Sequence, residues 1–263
     1  MSLRPKAPGA RRFPRVAAWL FLLALLAAWY ANERQVREAN AYLGLPQSQS
    51  FSLGTFHRVF RNEGFMIGYS DWMGQPLWVT YRLTPIAERK NLPRPDRFSA
   101  DGRAFSRVGH DDYTGSGYDR GHLAPNYAIS QLYGREAQKQ TFLMSNISPQ
   151  KPSLNQKVWQ RLEAAAADAF APAFGEVWVT VGPVFESPVD RIGSGKVAVP
   201  SAFYAIFIVP GDEPKVLAFL VPQKTFAETG PVNHMFLPLP RRSRSLHSCG
   251  LNQTRPRRIA RRS

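Results

Sequence analysis

Residues 117–126, GYDRGHLAPN, place an acid, a guanidinium, a glycine and an imidazole at four consecutive positions, Asp119 to His122. A neutral imidazole has an ordinary pKa of about 6.5, so it can accept a proton at neutral pH as a general base. The preceding residues 113–117, YTGSG, are typical of a turn that holds a side chain against a polar site. A lone histidine is more often structural, so this motif alone leaves both roles open for His122.

A second polar group follows in residues 145–156, SNISPQKPSLNQ. We expect Asn155 to lie in the first turn of a helix that also carries Glu163. α-Helical geometry leaves these two side chains on one side of the helix axis, with a drift of about 80°. Mg²⁺ keeps several of its waters, so one amide oxygen, a carboxylate that holds those waters and a substrate phosphate suffice to bind it. Helix capping by Asn155 and a solvated Glu163 are the alternative.

The helix that carries these residues is predicted over residues 154–170, with Ser153 as its N-cap and Pro172 and Gly175 marking its end. Four runs rich in β-branched and aromatic residues predict strands: 77–83, 177–185, 202–209 and 215–221. The quartet GDEP separates the last two runs and favours an antiparallel hairpin. These elements indicate an α+β domain over residues 51–240.

The N-terminal segments indicate membrane targeting. Residues 1–15 carry five bases and no acid, and residues 16–31 are uncharged and apolar. This charge pattern predicts a cytoplasmic N-terminus and a domain beyond the membrane, periplasmic or extracellular, behind a connector over residues 32–50. We favour an uncleaved transmembrane signal anchor, because the small residues that end at Ala28 are followed by bulky Trp29 and Tyr30. If the segment is instead cleaved as a signal peptide, the protein is secreted.

The net charge of +15 does not describe the domain itself. Thirteen basic residues lie in residues 1–15 and 241–263, which leaves 21 bases against 19 acids elsewhere. The segment 241–263 is typical of a basic disordered tail, which either captures nucleic acid or anionic lipid or is simply solvated. The single cysteine, Cys249, excludes an intramolecular disulfide and a zinc cluster built from cysteines.

Four motifs occur in a fixed order along the chain: DRGHLAP, SNISPQ, LNQ and VWQRLE. Together with VWVTVGPVF and KVAVPSAFYAIFIV they resemble the DNA/RNA non-specific endonuclease family, the ββα-metal, His-Me finger nucleases that include endonuclease G. The resemblance covers residues 60–225 and implies an α+β fold, with a ββα-metal core and a central antiparallel sheet flanked by helices. One N-terminal transmembrane or signal helix precedes it. Family members usually continue with ordered elements where this chain, after Met235, becomes rich in proline and arginine.

The resemblance implies the catalytic and metal-binding roles. His122 would be the general base, Asn155 the direct Mg²⁺ ligand and Glu163 a ligand through water, with Mn²⁺ as an alternative metal. His122 would take a proton from water, and the hydroxide would attack phosphorus in line. The metal would stabilise the charge on the leaving 3′ oxygen. The products would carry a 5′ phosphate.

The resemblance also implies how the substrate is held. Arg120 would contact the phosphate, and Asn146 would support the catalytic site. The family uses a further arginine upstream of the DRGH motif, and in the sequence RPDRF both Arg94 and Arg97 compete for that role. The residues themselves do not decide between the two.

The implied function is a magnesium-dependent endonuclease that hydrolyses phosphodiester bonds of DNA and RNA without selecting sequence or sugar. Because such a site contacts phosphates and not base edges, we expect weak sequence preference and strong salt dependence. The expected partners are DNA, RNA and the membrane, and a homodimer is left open. The alternative function is a membrane-tethered nucleic-acid-binding protein without turnover, which would have no need of His122, Asn155 and Glu163 together.

Overall fold

The computed structural model describes residues 15–224, which fall in two compact units divided between Ala39 and Asn40. The first unit contains helix α1, Arg15–Asn40, whose apolar side chains are exposed. Among the described residues this is the one helix long and apolar enough to cross a membrane, with a candidate span of Val16–Arg37. Such a helix suits a targeting or anchor segment. The predictions for residues 1–14 and for the tail 241–263 fall outside the described residues.

A six-stranded antiparallel sheet forms the centre of the second unit, in the order β1-β2-β3-β6-β9-β10. Its strands are β1 (Arg58–Asn62), β2 (Phe65–Ser70), β3 (Gln75–Leu83), β6 (Val177–Val184), β9 (Ala202–Val209) and β10 (Lys215–Pro222). The four predicted strands are all present, and GDEP joins β9 to β10 in the predicted hairpin. Strands β1 and β2 were missed because Arg61 and Gly68 interrupt their apolar runs.

The remaining elements surround this sheet. They are β4 (Asp119–His122), α2 (Asn126–Tyr133), α3 (Arg135–Thr141), β5 (Ile147–Gln150), α4 (154–174), β7 (Arg191–Ile192) and β8 (Val197–Ala198). Strands β4 and β5 pair antiparallel in a ribbon of their own, as do β7 and β8. The ribbon β4–β5 followed by helix α4 gives the two strands and one helix of a ββα unit. The predicted α+β class, with its central antiparallel sheet, is confirmed.

Helix α4 packs on one face of the sheet through aromatic pairs. The rings of Trp159 and Phe203 lie 5.5 Å apart, and those of Phe170 and Phe207 lie 5.7 Å apart. Phe203 and Phe207 are four residues apart on β9, so they project from the same face of the strand. Burying a large apolar side chain of this kind contributes about 1.5–3 kcal/mol to stability. These contacts fix the helix, and therefore the polar residues on it, against the sheet.

The local geometry of α4 differs from the predicted helix. Its segments Leu154–Trp159 and Ala166–Phe170 have π-helical geometry, and the N–H of Gln160 donates to the carbonyl of Asn155, five residues earlier. A π turn rotates less per residue than an α turn, so the α-helical spacing assumed for Asn155 and Glu163 does not hold over the first half of the helix. π-Helical turns are rare and occur frequently at functional sites.

The predicted N-cap of this helix is also wrong. Ser153 has helical dihedral angles (φ −62°, ψ −34°) and its side chain makes no capping hydrogen bond. At the other end Pro172 lies inside the last helical segment, and Gly175 ends the helix with a positive φ of 77°. Only glycine adopts such a conformation at little cost, which is why the chain turns there.

The opposite face of the sheet is covered in part by the segment that precedes β1. The rings of Tyr42 and Trp178 lie 6.1 Å apart, and those of His57 and Trp78 lie 5.6 Å apart. The predicted connector, residues 32–50, therefore includes the end of α1 and, from Asn40 onward, residues that belong to the second unit. The predicted domain boundaries at 51 and 240 stay predictions.

Candidate active site

The DRGH motif forms strand β4 and not a turn. Its partner strand β5 consists of the last four residues of the SNISPQ motif. The register pairs Asp119 with Gln150 and His122 with Ile147. Gly121 is required in this pairing, because a β-carbon there would overlap the side-chain amide of Gln150. Two motifs that are about thirty residues apart in sequence are thus joined backbone to backbone.

His122 is packed between aromatic rings. The centroids of Phe98 and Phe142 lie 5.4 and 4.9 Å from the centroid of the imidazole. Its Nε2 atom is buried and has no hydrogen-bond partner among the described residues. The residue as a whole is partly exposed, which leaves Nδ1 as the ring nitrogen that can meet water. Burial, together with the nearby positive charge of Arg94, lowers the pKa of His122 to about 3.

The low pKa predicts how stability depends on pH. The unfolded chain binds a proton on His122 below pH 6.5, whereas the folded protein binds it only near pH 3, so the free energy of unfolding should fall as the pH drops through this window. His122→Leu removes this difference in proton binding. The slope of the free energy of unfolding against pH should then decrease by up to about 1.4 kcal/mol per pH unit. Urea unfolding of both proteins between pH 4 and 6.5 measures it. Equal slopes for the two proteins would show that His122 binds its proton with the same affinity in the folded and the unfolded chain.

The two candidate upstream arginines have different surroundings. The guanidinium carbon of Arg94 lies 5.1 Å from the ring centroid of Phe142, the same ring that packs against His122. Arg97 is exposed and makes no ring contact, hydrogen bond or ion pair within residues 15–224. Of the two, Arg94 is therefore the one that the structure brings to His122.

The loop that carries Arg94 is fixed to helices α2 and α3. The side-chain amide of Gln131 accepts from the N–H of Lys90 at 2.6 Å and donates to its carbonyl at 3.0 Å. The guanidinium of Arg135 donates to the carbonyl of Pro93, directly before Arg94. These contacts position Arg94 through residues about forty positions away in sequence, which is why sequence analysis left the choice open.

Asn155 is oriented by Asp119, a residue to which the sequence analysis assigned no role. The Asp119 carboxylate accepts from the amide nitrogen of Asn155 at 2.9 Å and from that of Gln156 at 2.8 Å. Because the Asn155 nitrogen is engaged, its oxygen is the end of the amide that is left for a cation. Asp119 stands three residues before His122 on β4, so it links the start of α4 to the strand that carries His122.

Glu163 lies farther along α4 in a buried setting. Its Oε1 atom is buried without a hydrogen-bond partner among the described residues. Burial raises the pKa of Glu163 to about 8. Burial, and to a smaller extent the charge of Glu163, likewise raises the pKa of Tyr81. No contact between described residues joins Glu163 directly to Asn155 or His122.

The oxygen atoms of Asn155 and Glu163 suit a hard divalent cation such as Mg²⁺ or Mn²⁺. Within residues 15–224 no group of three or more histidine, cysteine, aspartate or glutamate side chains is placed to hold a metal. Mg²⁺ does not need such a cage, because it keeps several waters and takes few protein ligands. The free oxygen of Asn155 and the orphaned carboxylate oxygen of Glu163 are hard donors suited to that ion and its waters.

Arg120 is held beside the ribbon by the segment before it. Its Nη2 atom donates to the carbonyl of His110 at 2.7 Å and to the hydroxyl of Thr114 at 3.0 Å, and its Nε atom donates to the same carbonyl at 3.2 Å. Its Nη1 atom has no acceptor among the described residues. A guanidinium fixed along one edge in this way can present its other edge to a phosphate.

Asn146 is a structural member of the site. It is fully buried, its oxygen accepts from the N–H of Ala124 at 2.9 Å, and its nitrogen donates to the carbonyls of Ala124 and Thr141 at 3.0 Å each. The amide is thus occupied by backbone groups, two residues beyond His122. This arrangement suits the expected supporting role and leaves no atom of the amide for substrate.

The site as a whole joins a neutral imidazole on a two-stranded ribbon, two arginines and an amide oxygen at the start of a helix. This arrangement is suited to the hydrolysis of a phosphate ester, with a base for water and cations for the phosphate charge. The comparisons with known proteins point to the same chemistry. The sequence model of the DNA/RNA non-specific endonuclease family matches residues 47–240. The chain belongs to this family and is therefore a nuclease.

Individual relatives agree with this assignment. The chain is 29% identical over 245 residues to "Endonuclease G, mitochondrial" of Bos taurus, covering 88% of this chain and 80% of that protein. It is 34% identical over 202 residues to "Nuclease C1" of Cunninghamella echinulata var. echinulata, covering 69% of this chain and 77% of that protein. A structure titled "Crystal structure of the EndoG/EndoGI complex: Mechanism of EndoG inhibition" has the same fold, with a TM-score of 0.62 at 23% identity over 75% of this chain and 82% of that chain.

Proposed function

We propose that the protein is a magnesium-dependent endonuclease that hydrolyses phosphodiester bonds of DNA and RNA without selecting sequence or sugar. The observation that carries this proposal is the neutral His122, held beside Arg94 on a strand that Asp119 ties to Asn155. The family's dependence on a divalent metal in general supports the metal requirement. The hard oxygen donors of Asn155 and Glu163 support Mg²⁺ as that metal, with Mn²⁺ as a substitute.

His122 is the general base in this proposal. Its Nδ1 atom accepts a proton from the attacking water, while Nε2 remains among the rings of Phe98 and Phe142. The positive charge of Arg94 holds the pKa of His122 down in the free protein. A bound phosphate would neutralise that charge, so His122 would become more basic when substrate is in place.

Asn155 and Glu163 would hold the metal, Asn155 directly and Glu163 through water. When bound there, Mg²⁺ supplies Lewis-acid stabilisation of charge on the phosphate and the leaving oxygen. Arg94 and Arg120 bind the phosphate. Asn146 and Asp119 hold the ribbon β4–β5 and helix α4 in position beside it. Because this assignment gives every one of these groups to the phosphate, the metal or the scaffold, we expect little sequence preference.

The direct test is digestion of supercoiled plasmid and of structured RNA by the full chain in detergent, with Mg²⁺ or with EDTA. We expect both substrates to be cut with Mg²⁺ and neither with EDTA. Cleavage that persists in EDTA would refute the metal requirement. Absence of cleavage with either Mg²⁺ or Mn²⁺ would refute the proposed activity.

A matched pair of variants tests the choice between the upstream arginines. Arg94→Ala should lower kcat/KM by about 10- to 100-fold, because a charge-assisted phosphate contact is lost. Arg97→Ala should stay within about twofold, because an exposed residue without contacts contributes little. Both are measured on one plasmid at fixed salt. A larger loss for Arg97→Ala would reverse the assignment.

Asp119 offers a test of metal-ligand positioning. Asp119→Asn replaces a carboxylate that accepts from two amides, so we expect the Mg²⁺ concentration for half-maximal cleavage to rise by about 10- to 100-fold. Gln156→Ala is the control, since it removes the other hydrogen bond to Asp119 without touching Asn155. A Mg²⁺ titration of each variant gives the midpoints. If both variants shift equally, Asp119 does not act through Asn155.

We further propose that α1 is an uncleaved anchor and that the second unit lies in the periplasm or outside the cell. The support is the exposed apolar helix with its candidate span of Val16–Arg37 and the basic residues that precede it in sequence. Protease added outside intact cells should degrade the nuclease unit and leave the N-terminus protected. Protection of both ends would contradict this orientation. A homodimer stays a prediction.

A further inference from the structure

Five apolar side chains of the second unit are more than half exposed near the start of the nuclease fold. They form what we call the aromatic patch: Phe51 (88% exposed), Leu53 (62%), Phe56 (55%), Trp72 (57%) and Phe105 (77%). None of them contacts the residues of the candidate active site. Exposed apolar side chains that cluster in this way mark an interaction surface more often than chance exposure does.

The members of the aromatic patch are linked to one another by contacts. The rings of Phe51 and Phe56 lie 6.1 Å apart, and Gly54 between them lies against the methyl group of Met73, next to Trp72. Asp71, on the other side of Trp72, accepts from the backbone N–H of Phe105 at 2.7 Å. The three segments that carry the aromatic patch therefore lie next to one another in the fold.

Positive charge accompanies these rings. The guanidinium of Arg58 lies 4.0 Å from the ring centroid of Phe105, and that of Arg191 lies 5.7 Å from the ring of Trp72. Arg58 is paired with Asp71, whereas Arg191 donates only to the carbonyls of Trp72 and Gly195. Exposed tryptophan and phenylalanine side chains flanked by arginine match the interfacial region of a bilayer that contains anionic lipids.

The anchor proposed above determines which surface the patch can meet. A unit joined to a membrane-spanning segment stays within reach of a bilayer, so a weak surface contact is sufficient. A second copy fits less well, because a symmetric contact would bring the arginines of both patches together.

We propose that the aromatic patch docks the second unit on the surface of an anionic bilayer. This inference rests on the membrane anchoring proposed above and adds to it a second membrane contact.

The test uses the full chain in vesicles of phosphatidylcholine and phosphatidylglycerol. In a Cys249→Ser background, Phe105→Cys carries an environment-sensitive fluorophore, and Phe174→Cys is the matched control. Phe174 is also exposed, but it contacts Lys215 on β10, at the sheet edge opposite β1. Spin-labelled lipids should quench the fluorophore at position 105 at least about threefold more than at position 174. The difference should shrink in vesicles of phosphatidylcholine alone, because the charge term is lost.

Each alternative outcome contradicts the proposal in a distinct way. Equal quenching at both positions, in protein that floats with the vesicles after alkaline washing, overturns docking and leaves the anchor intact. Protein that does not float overturns the anchor and docking together, while plasmid cleavage reports separately on the nuclease. Shielding of position 105 by added DNA, or self-quenching that grows with protein density, would assign the patch to nucleic acid or to a second copy.

Discussion

His122→Ala should reduce plasmid cleavage by about a thousandfold at saturating Mg²⁺, because it removes the general base. DNA binding should be largely retained, because the arginines remain. His57→Ala is the matched control. This histidine is also partly buried, but its Nδ1 atom donates to the carbonyl of Thr55 and its Nε2 atom accepts from the indole N–H of Trp78, on the other face of the sheet. The measurements are initial cleavage rates and a gel-shift titration in Ca²⁺, with a melting curve for each variant.

Two outcomes would contradict the assignment of His122. Cleavage near the rate of the unchanged protein would show that another group activates the water. Equal losses in His122→Ala and His57→Ala, with equal melting temperatures, would show that a histidine outside the site matters as much. The acid side of the activity profile is a further check. With a pKa of about 3 in the free protein, His122 stays unprotonated, and so available as a base, well below pH 6.5.

Asn155→Ala should reduce cleavage by at least about 100-fold, because the one direct protein ligand of the metal is lost. The residual activity should respond weakly to added Mg²⁺. The matched control is again Gln156→Ala, a neighbouring amide that shares Asp119 as its acceptor. A Mg²⁺ titration of cleavage separates the two variants. An Asn155→Ala protein with an unchanged Mg²⁺ midpoint would refute the ligand assignment.

The candidate catalytic residues could be proposed from sequence because their motifs are local. DRGH and SNISPQ are each one short contiguous stretch, and their order along the chain matches the nuclease family that they resemble. The structure shows why these motifs are short: β4 and β5 are four residues each, and their pairing brings His122 opposite Ile147. The roles of His122, Asn155 and Glu163 stay predictions until the variants above are measured.

Sequence reasoning failed where an element's local geometry or the partner of a side chain was decided elsewhere. Ser153 has the composition of an N-cap but lies within helical geometry, since the chain enters the helix earlier than residue types alone indicate. Asp119 carried no separate signal, because its two amide partners lie 36 and 37 residues away. A search for a carboxylate that could accept a hydrogen bond from each predicted metal-binding amide would have suggested Asp119.

The sequence by itself determined the class of fold, the family and four strands of the central sheet, β3, β6, β9 and β10. Apolar periodicity and motif order are properties of the chain that do not depend on how distant segments meet. Only the tertiary structure decided that Arg94, and not Arg97, approaches His122, and that burial lowers the pKa of the imidazole. Both results follow from burial among Phe98, Phe142 and a loop fixed by other helices, and desolvation of that kind exists only once those segments are packed together.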